Sequence, residues 1–392
     1  MQFRSHHFRS LSLFALSSLS FAALAGCRKQ EVAAPPPPKP AGPPKVSQAD
    51  IDKHKPNEAG AVMVIMYHRI LADEPNNDLN RKPETFRNDL KLLRDKGYHP
   101  VTALELVTNT MDVPAGKTPV VITFDDALPS QFKLVTGRDG KPHIDPNCAV
   151  GIMETFSKQN PDWPTKATFF VLPSEGRNGE PFGEAEAATV KFDYLVKRGY
   201  EIANHTSTHD NLRGKSAQEV QKELALAVKR IREIAPKASM QTFALPYGKL
   251  PRNAESRKML EAGSSEGIVY DNKAVFLAAW RPILSPITKN DKKATEGGSL
   301  AVFDPYRLER VTPDARNASS PGTLEYWIKY FDKSPSLRYI SDGNPKVATV
   351  PASSQSKVDA SRVATQGQTL QVYGGAGEAG GKSKNGSSLS VE

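Results

Sequence analysis

Residues 61–345 are predicted to form an α/β domain on a parallel sheet, on two observations. Short continuous apolar runs alternate with helix-period stretches, and polar residues able to do chemistry recur directly after those runs. A continuous apolar run is what a strand covered on both faces requires. Repeated strand-then-helix order makes the strands parallel, so the sheet is either open or rolled into a closed or incomplete barrel. In both, chemistry collects where the strands end, at their C-terminal edge.

Ahead of that domain, Arg4 and Arg9 precede an apolar stretch from Leu11 to Leu24, followed by Ala25-Gly26-Cys27, with no acidic residue before Glu31. This is the charged, apolar, small-residue order of an export signal, and it is too short for a mature membrane span. Leu24-Ala25-Gly26-Cys27 resembles the lipobox of bacterial lipoproteins. The resemblance implies a signal over residues 1–27, with Cys27 becoming the lipidated first residue and a multiply acylated terminus holding the protein on a membrane. Losing residues 1–26 removes two positive charges and no negative ones, so the net charge of +9 falls to +7. That mild, dispersed excess gives no nucleic-acid platform. Two cysteines in 392 residues exclude a disulfide framework, an all-cysteine zinc site and an iron–sulfur cluster.

Residues 28–60 carry the run Pro35 to Pro44, in which proline excludes helix and sheet, so this stretch is expected to be an extended tether. At the other end, residues 346–392, with Gly374 through Ser388 the poorest in apolar groups, are expected to form a low-complexity tail without fixed structure.

Within the domain, Ala61 to Tyr67, Pro119 to Phe124, Lys166 to Val171, Tyr200 to Asn204, Gln241 to Leu245 and Gly267 to Tyr270 read as strands. Thr85 to Lys96 places Phe86, Leu90 and Leu93 at helical spacing and stops at Gly97. Ser216-Ala217-Gln218-Glu219 is a capping box opening a helix whose Val220, Leu224, Val228 and Ile231 form one stripe. Between Ala127 and Lys166 the chain is longer than one turn and one helix need. Residues 136–142 read as an exposed turn and 149–156 as helix, with Cys148 a partly buried, unreactive thiol.

The strand ends carry His68, Asp125-Asp126, His205-Thr206-Ser207-Thr208-His209 and Pro246-Tyr247-Gly248. Adjacent carboxylates repel, so a pair directly after a buried strand requires a cation or a shared proton. A divalent metal supplies the cation. His205 and His209 offer two imidazoles and Asp126 a third ligand, an arrangement known in catalytic zinc sites and open to iron(II). The spacing is not that of the helical zinc-protease motif, since Thr206 stands where that motif has Glu. Asn204-His205-Thr206 matches a glycosylation acceptor, and at a buried strand edge the match is taken as coincidence.

Thr123-Phe124-Asp125-Asp126, His205 to His209 and Phe243-Ala244-Leu245-Pro246-Tyr247-Gly248, in that order, resemble the polysaccharide deacetylases of the NodB-homology group, carbohydrate esterase family four. Met66-Tyr67-His68-Arg69-Ile70 resembles the branch whose domain opens on a Tyr-His strand. The resemblance implies an incomplete or distorted (β/α) barrel and hydrolysis of acetyl groups from an N-acetylated glycan. It implies Zn2+, Co2+ or Ni2+ on Asp126, His205 and His209, with Asp125 as general base and an oxyanion site at Pro246 and the Tyr247 N–H. The family often has Arg two residues before the proline, where this chain has Ala244, so another cation is expected against Asp125: Arg310 first, Arg281 second. No His follows His209, so His68 is expected to replace the usual late histidine as acid. Trp163, Trp280 and Tyr326-Trp327 are expected to serve mostly in packing, with sugar stacking as the alternative. An O-acetyl esterase, a catalytically weak glycan-binding lipoprotein and a structural envelope protein are the competing functions. The sequence leaves the polymer and the oligomeric state open.

Overall fold

The computed structural model of the chain describes residues 44–173, 180–291, 300–313 and 321–375. Cys27, the signal, the proline run as far as Pro43 and the end of the tail from residue 376 lie outside the described residues.

Eight strands form the main sheet: β1 (Ala61–Tyr67), β2 (Tyr98–Val101), β3 (Thr118–Asp125), β4 (Thr168–Val171), β5 (Glu201–Asn204), β6 (Thr242–Ala244), β7 (Ala274–Phe276) and β8 (Ile283–Leu284). Their order is β7-β6-β5-β4-β3-β1-β8, with β2 paired to the first half of β3. All these pairings are parallel except that of β8, which runs antiparallel to the start of β1. The sheet is curled, and an irregular segment joins its two ends. Leu308 exchanges backbone hydrogen bonds with Val275 and Leu277 beside β7, and Val311 exchanges them with Val64 and Met66 of β1. The ring is thus a distorted (β/α) barrel completed by residues 308–311.

Period-two alternation sorts the side chains. Met63, Ile65 and Tyr67 of β1 and Val120, Ile122 and Phe124 of β3 pack outward against helices, while Val62, Val64, Val121, Phe170, Ala203, Ala244, Phe276 and Leu308 fill the barrel. The outer layer is supplied by α2 (Pro83–Asp95), α4 (Ala149–Gln159), α5 (Ala188–Arg198), α6 (Ala217–Ile234) and α8 (Leu324–Lys333), with α1 (Gln48–His54), α3 (Ala103–Val107) and α7 (Ala254–Lys258) shorter. The expected capping box is present on α6, and Val220, Leu224, Val228 and Ile231 are buried as a stripe. Burying these apolar faces is the main source of stability, at about 25 cal/mol per Å2 removed from water.

Four expectations are corrected. Residues 268–271 are a strand, but they pair antiparallel with Ala262–Ser265 in a separate hairpin, and the barrel strand is Ala274–Phe276. Residues 48–54 of the expected tether form α1, capped by the Ser47 hydroxyl, with Ile51 buried. Residues 347–373 of the expected tail are ordered: β9 (Val347–Pro351) and β10 (Thr369–Tyr373) pair in parallel, joined by α9 (Ala352–Gln355) and α10 (Ala360–Thr365). Cys148 is fully buried and caps α4 through its sulfur, and burial pushes its thiol up. The tail folds because Ala348, Val350, Val358, Val363, Leu370 and Val372 form a small core with Ala59 and Ile287, so its apolar groups are too widely spaced to raise the average but sufficient to pack. The Gln371 side-chain amide donates to the Val46 carbonyl and accepts from the Val46 N–H, at 3.0 and 2.8 Å, tying both ends of the described chain together.

Candidate active site and metal centre

Asp125 is the last residue of β3 and faces into the barrel, in the same period-two row as Val121 and Thr123. Arg310, from the segment that completes the ring, enters the same interior and is fully buried. Its two terminal nitrogens donate to the two Asp125 oxygens at 2.6 and 2.8 Å, its Nε donates to the Leu277 carbonyl at 3.1 Å, and its guanidinium lies 5.4 Å from the centre of the Phe170 ring. Ala244 lines this interior, and its small side chain leaves room for the arginine that arrives from residue 310. Arg281 does not take that place: it forms a two-point pair with Glu309.

Burial works against charge on Asp125, but the Arg310 guanidinium and the nearby His205 outweigh it and hold the carboxyl well below the usual range. His68, just past β1, places Nε2 3.8 Å from Asp125 Oδ2. Burial lowers its affinity for a proton, in spite of Asp125 and Asp126.

Asp126, His205 and His209 converge from two strand ends. The Nε2 atoms of His205 and His209 lie 3.3 and 3.4 Å from Asp126 Oδ1, and one ligand atom from each of the three residues falls within 4.8 Å of the other two. His205 Nδ1 is 2.8 Å from the Ala244 carbonyl, a contact that needs Nδ1–H and so leaves the Nε2 lone pair facing the trio. Asp126 Oδ1 is buried without a hydrogen-bond partner. An acceptor oxygen left in that state between two imidazole lone pairs fits a divalent cation, which all three would face. Burial raises the Asp126 carboxyl, but the adjacent His205 and the other imidazole charges hold it below its ordinary value. His205 is correspondingly raised: burial lowers it, and Asp125 and Asp126 more than compensate.

The backbone carrying these groups is strained. Asp126, Ala127, Thr206, His209 and Tyr247 all have positive φ, between 52° and 77°. Each such non-glycine residue costs energy and persists only where its surroundings over-determine it, and here the five gather at one sheet edge. Pro246 is buried, and Tyr247 follows it in a single turn over residues 246–248, its ring centre 4.9 Å from that of His209. The turn lies so close to Ala278 that a Cβ on Gly248 would sit 2.4 Å from the Ala278 nitrogen. Asn204, of the apparent glycosylation site, is buried and bonded to the Leu224 carbonyl and the Thr206 N–H.

A cleft of about 540 Å3 opens over these groups. Besides the expected residues it is lined by Arg69 of the Tyr-His motif, by Trp280, for which sugar stacking was the alternative to packing, and by Asp78 and Leu79, to which no sequence motif pointed. Among the described residues, five large apolar side chains are exposed, and three of them border this cleft: Trp280 at 60%, Tyr247 at 48% and Leu79 at 43%. Trp163 and Trp327 are buried, as packing requires, whereas Trp280 faces out with its carbonyl bonded to Trp327 Nε1 at 2.7 Å. Exposed aromatic faces beside polar groups suit the apolar face of a sugar ring.

Residues 112–263 match the family described as "Polysaccharide deacetylase". The chain is 27% identical over 205 residues to the chitooligosaccharide deacetylase of Bradyrhizobium sp., spanning 51% of this chain and 78% of that protein. It is 37% identical over 82 residues to the chitooligosaccharide deacetylase of Sinorhizobium fredii, spanning 21% of this chain and 34% of that protein. The solved structure of the Streptococcus pyogenes deacetylase PplD in complex with acetate superposes with a TM-score of 0.44 at 18% identity, covering 65% of this chain and 93% of that one. Residues 112–263, which carry Asp125, Asp126, His205, His209, Pro246 and Tyr247, are thus similar to the polysaccharide deacetylase family.

Proposed function

We propose that this protein removes N-acetyl groups from an extracytoplasmic N-acetylated polysaccharide, using a divalent ion, with Zn2+ the ion best suited to a two-histidine, one-carboxylate set. One observation carries the reading: an ionised carboxylate clamped by a buried arginine stands beside a preformed ligand trio and a buried histidine, all in one cleft. When bound at Asp126, His205 and His209, such an ion supplies Lewis acidity toward the acetyl carbonyl and toward water.

The chain's own groups then divide the proton work. Asp125, kept ionised by Arg310, accepts a proton from the attacking water. The backbone N–H of Tyr247 serves as donor to the oxyanion that develops on the acetyl oxygen. His68 delivers a proton to the nitrogen as its bond to the acyl carbon breaks, leaving acetate and a free amine. Arg310 beside Asp125 and His68 in the same cleft support catalysis over a catalytically weak glycan binder, since each stands in for a family residue that this sequence lacks. An O-acetyl ester would use the same groups, and no feature of the cleft favours it over the amide.

Cys27 is proposed to carry the lipid anchor, which places the cleft on the outer side of the membrane that holds it, on a proline-rich tether now shortened to the stretch before α1. Metabolic labelling with a fatty acid tests the anchor: loss of label in Cys27→Ser is expected, and retention overturns it. Acetate release from peptidoglycan, chitin-like oligomers, poly-N-acetylglucosamine and acetylated xylan, with and without a chelator, tests the activity. Turnover on at least one N-acetylated polymer, abolished by chelator, is expected. Release from the xylan alone would make the enzyme an O-acetyl esterase.

A further inference from the structure

The ladder between β1 and β3 ends at the pair Tyr67–Phe124. The next two residues are His68 and Asp125, the acid and base of the proposed reaction; they lie beyond the last pairing between β1 and β3, and Asp125 is paired only on its other side, with Phe170 of β4. What joins them is the side chain of Gln131. Its Nε2 donates to the His68 carbonyl at 2.9 Å and to the Asp125 carbonyl at 2.5 Å. Gln131 is fully buried, and its Oε1 has no hydrogen-bond partner.

A buried amide oxygen without a partner loses its hydration and gains nothing in return, so a side chain of similar volume without polar atoms would suit packing alone better. The compensating gain is therefore sought in the two bonds that Nε2 makes. Both acceptors are carbonyl oxygens that repel each other and face a buried interior, where one NH2 group satisfies the two at once. The turn that carries Gln131 is anchored to the same strand ends: Ser130 Oγ accepts from the Ile70 N–H at 3.0 Å, and the Ser130 and Gln131 carbonyls accept from Ala149 and Val150 at the start of α4. The insertion after Asp126 thus reaches back and closes the sheet edge where the ladder stops.

We infer that Gln131 is a positioning residue: its amide cross-links the main chain of His68 and Asp125 and fixes the spacing between acid and base, 3.8 Å between His68 Nε2 and Asp125 Oδ2. It does not line the cleft, and its amide bonds only the main chain of His68 and Asp125, so it would act through the geometry of those two residues. This inference rests on the deacetylase reading for its kinetic consequence, and on the structure for its geometric one.

The test compares wild type with Gln131→Met, which keeps volume and removes both donors, and Gln131→Glu, whose buried neutral carboxyl keeps one O–H donor. The expected result for Gln131→Met is a kcat at least tenfold lower, with KM and metal stoichiometry within twofold of wild type. Gln131→Glu is expected to lie between the two. Crystal structures of wild type and Gln131→Met supply the second readout, with the His68–Asp125 separation widened in the variant. A folded Gln131→Met with kcat within twofold of wild type overturns the inference, as does a Gln131→Glu no better than Gln131→Met. Should Gln131→Met not fold, a Gln131→Glu with wild-type kcat and spacing overturns it equally. Wild type that releases acetate from no glycan sinks the deacetylase reading instead, and an unchanged separation in the variant crystal then overturns the positioning role independently.

Discussion

Two buried arginine–carboxylate pairs lie one on each side of β1, and they behave in opposite ways. Inside the barrel, Arg310 clamps Asp125 with His68 and His205 close by. Outside it, Arg81 clamps Asp89 through Nε and Nη2 at 2.9 and 2.7 Å, with the Tyr67 hydroxyl 3.1 Å from the same carboxylate and Glu325 3.0 Å from the same arginine. The first carboxylate shares a guanidinium with imidazoles around it and is held ionised. In the second, two carboxylates share one guanidinium, and burial followed by the Glu325 charge pushes Asp89 up to about 6 despite Arg81. The same ion-pair geometry therefore holds one carboxylate ionised and lets the other take up a proton more readily, and the neighbours decide which.

Exchanging the carboxylates for amides separates the two most sharply. Asp125→Asn is expected to cut acetate release by about 10²–10⁴, the usual contribution of a general base. Asp89→Asn is expected to leave kcat within about twofold, since it touches no group in the cleft, and a steady-state assay reads both. Equal losses in the two variants would end the distinction.

Stability is expected to rank the pairs the other way. Arg81→Met leaves the buried Asp89 and the half-buried Glu325 without a cation and is expected to cost about 3–5 kcal/mol in urea unfolding. Arg310→Met is expected to cost less, because the imidazoles beside Asp125 remain. A larger loss in Arg310→Met would show that the brace and the base have been assigned to the wrong pairs.

The pH dependence follows from the same shifts. Asp89 has its folded pKa raised from 3.8 to about 6, so the folded state binds more protons between those values and stability falls as pH rises through that window. Asp125 is shifted downward, so its contribution is present above its ordinary pKa and is lost as pH falls. In Asp89→Asn the decline in Tm between about pH 4 and 6 is expected to flatten. Metal effects come next: His205→Ala and His209→Ala are expected to lose stoichiometric divalent ion, and a saturating ion at about 100-fold over its Kd is expected to stabilise wild type by about 2.7 kcal/mol. Smallest is Trp280→Ala, expected to raise KM about two- to tenfold through loss of an exposed aromatic platform, with kcat held.

The convergence of Asp125, Asp126, His205 and His209 was legible because the signals are local: Asp125-Asp126 and His205 to His209 follow directly on apolar strands, and a parallel sheet brings strand ends together. Arg310 was one of two candidates, and its selection over Arg281 needed the ring-completing segment, which is irregular and has no pattern of its own. The brace at Arg81 and Asp89 was not legible, because one residue lies in a two-residue strand too short to show a pattern and the other on a helix whose polar positions look solvated. Residues 347–373 were misread for a related reason. Val347 to Val350 and Leu370 to Val372 are short, and their core includes Ala59 and Ile287 from distant parts of the chain, so a local average of polarity conceals it.

The ring-completing segment also sets an order of assembly. Asp125 and Arg310 are 185 residues apart in the chain, so at about 5–20 residues per second their synthesis is separated by about 10–40 s. Until residues 308–311 emerge, the curled sheet has two unjoined ends and its interior carboxylate has no guanidinium. A nascent or truncated chain ending before that segment therefore carries every motif of the resemblance without the Arg310 clamp on Asp125, and activity is expected only when the last piece of the barrel is in place.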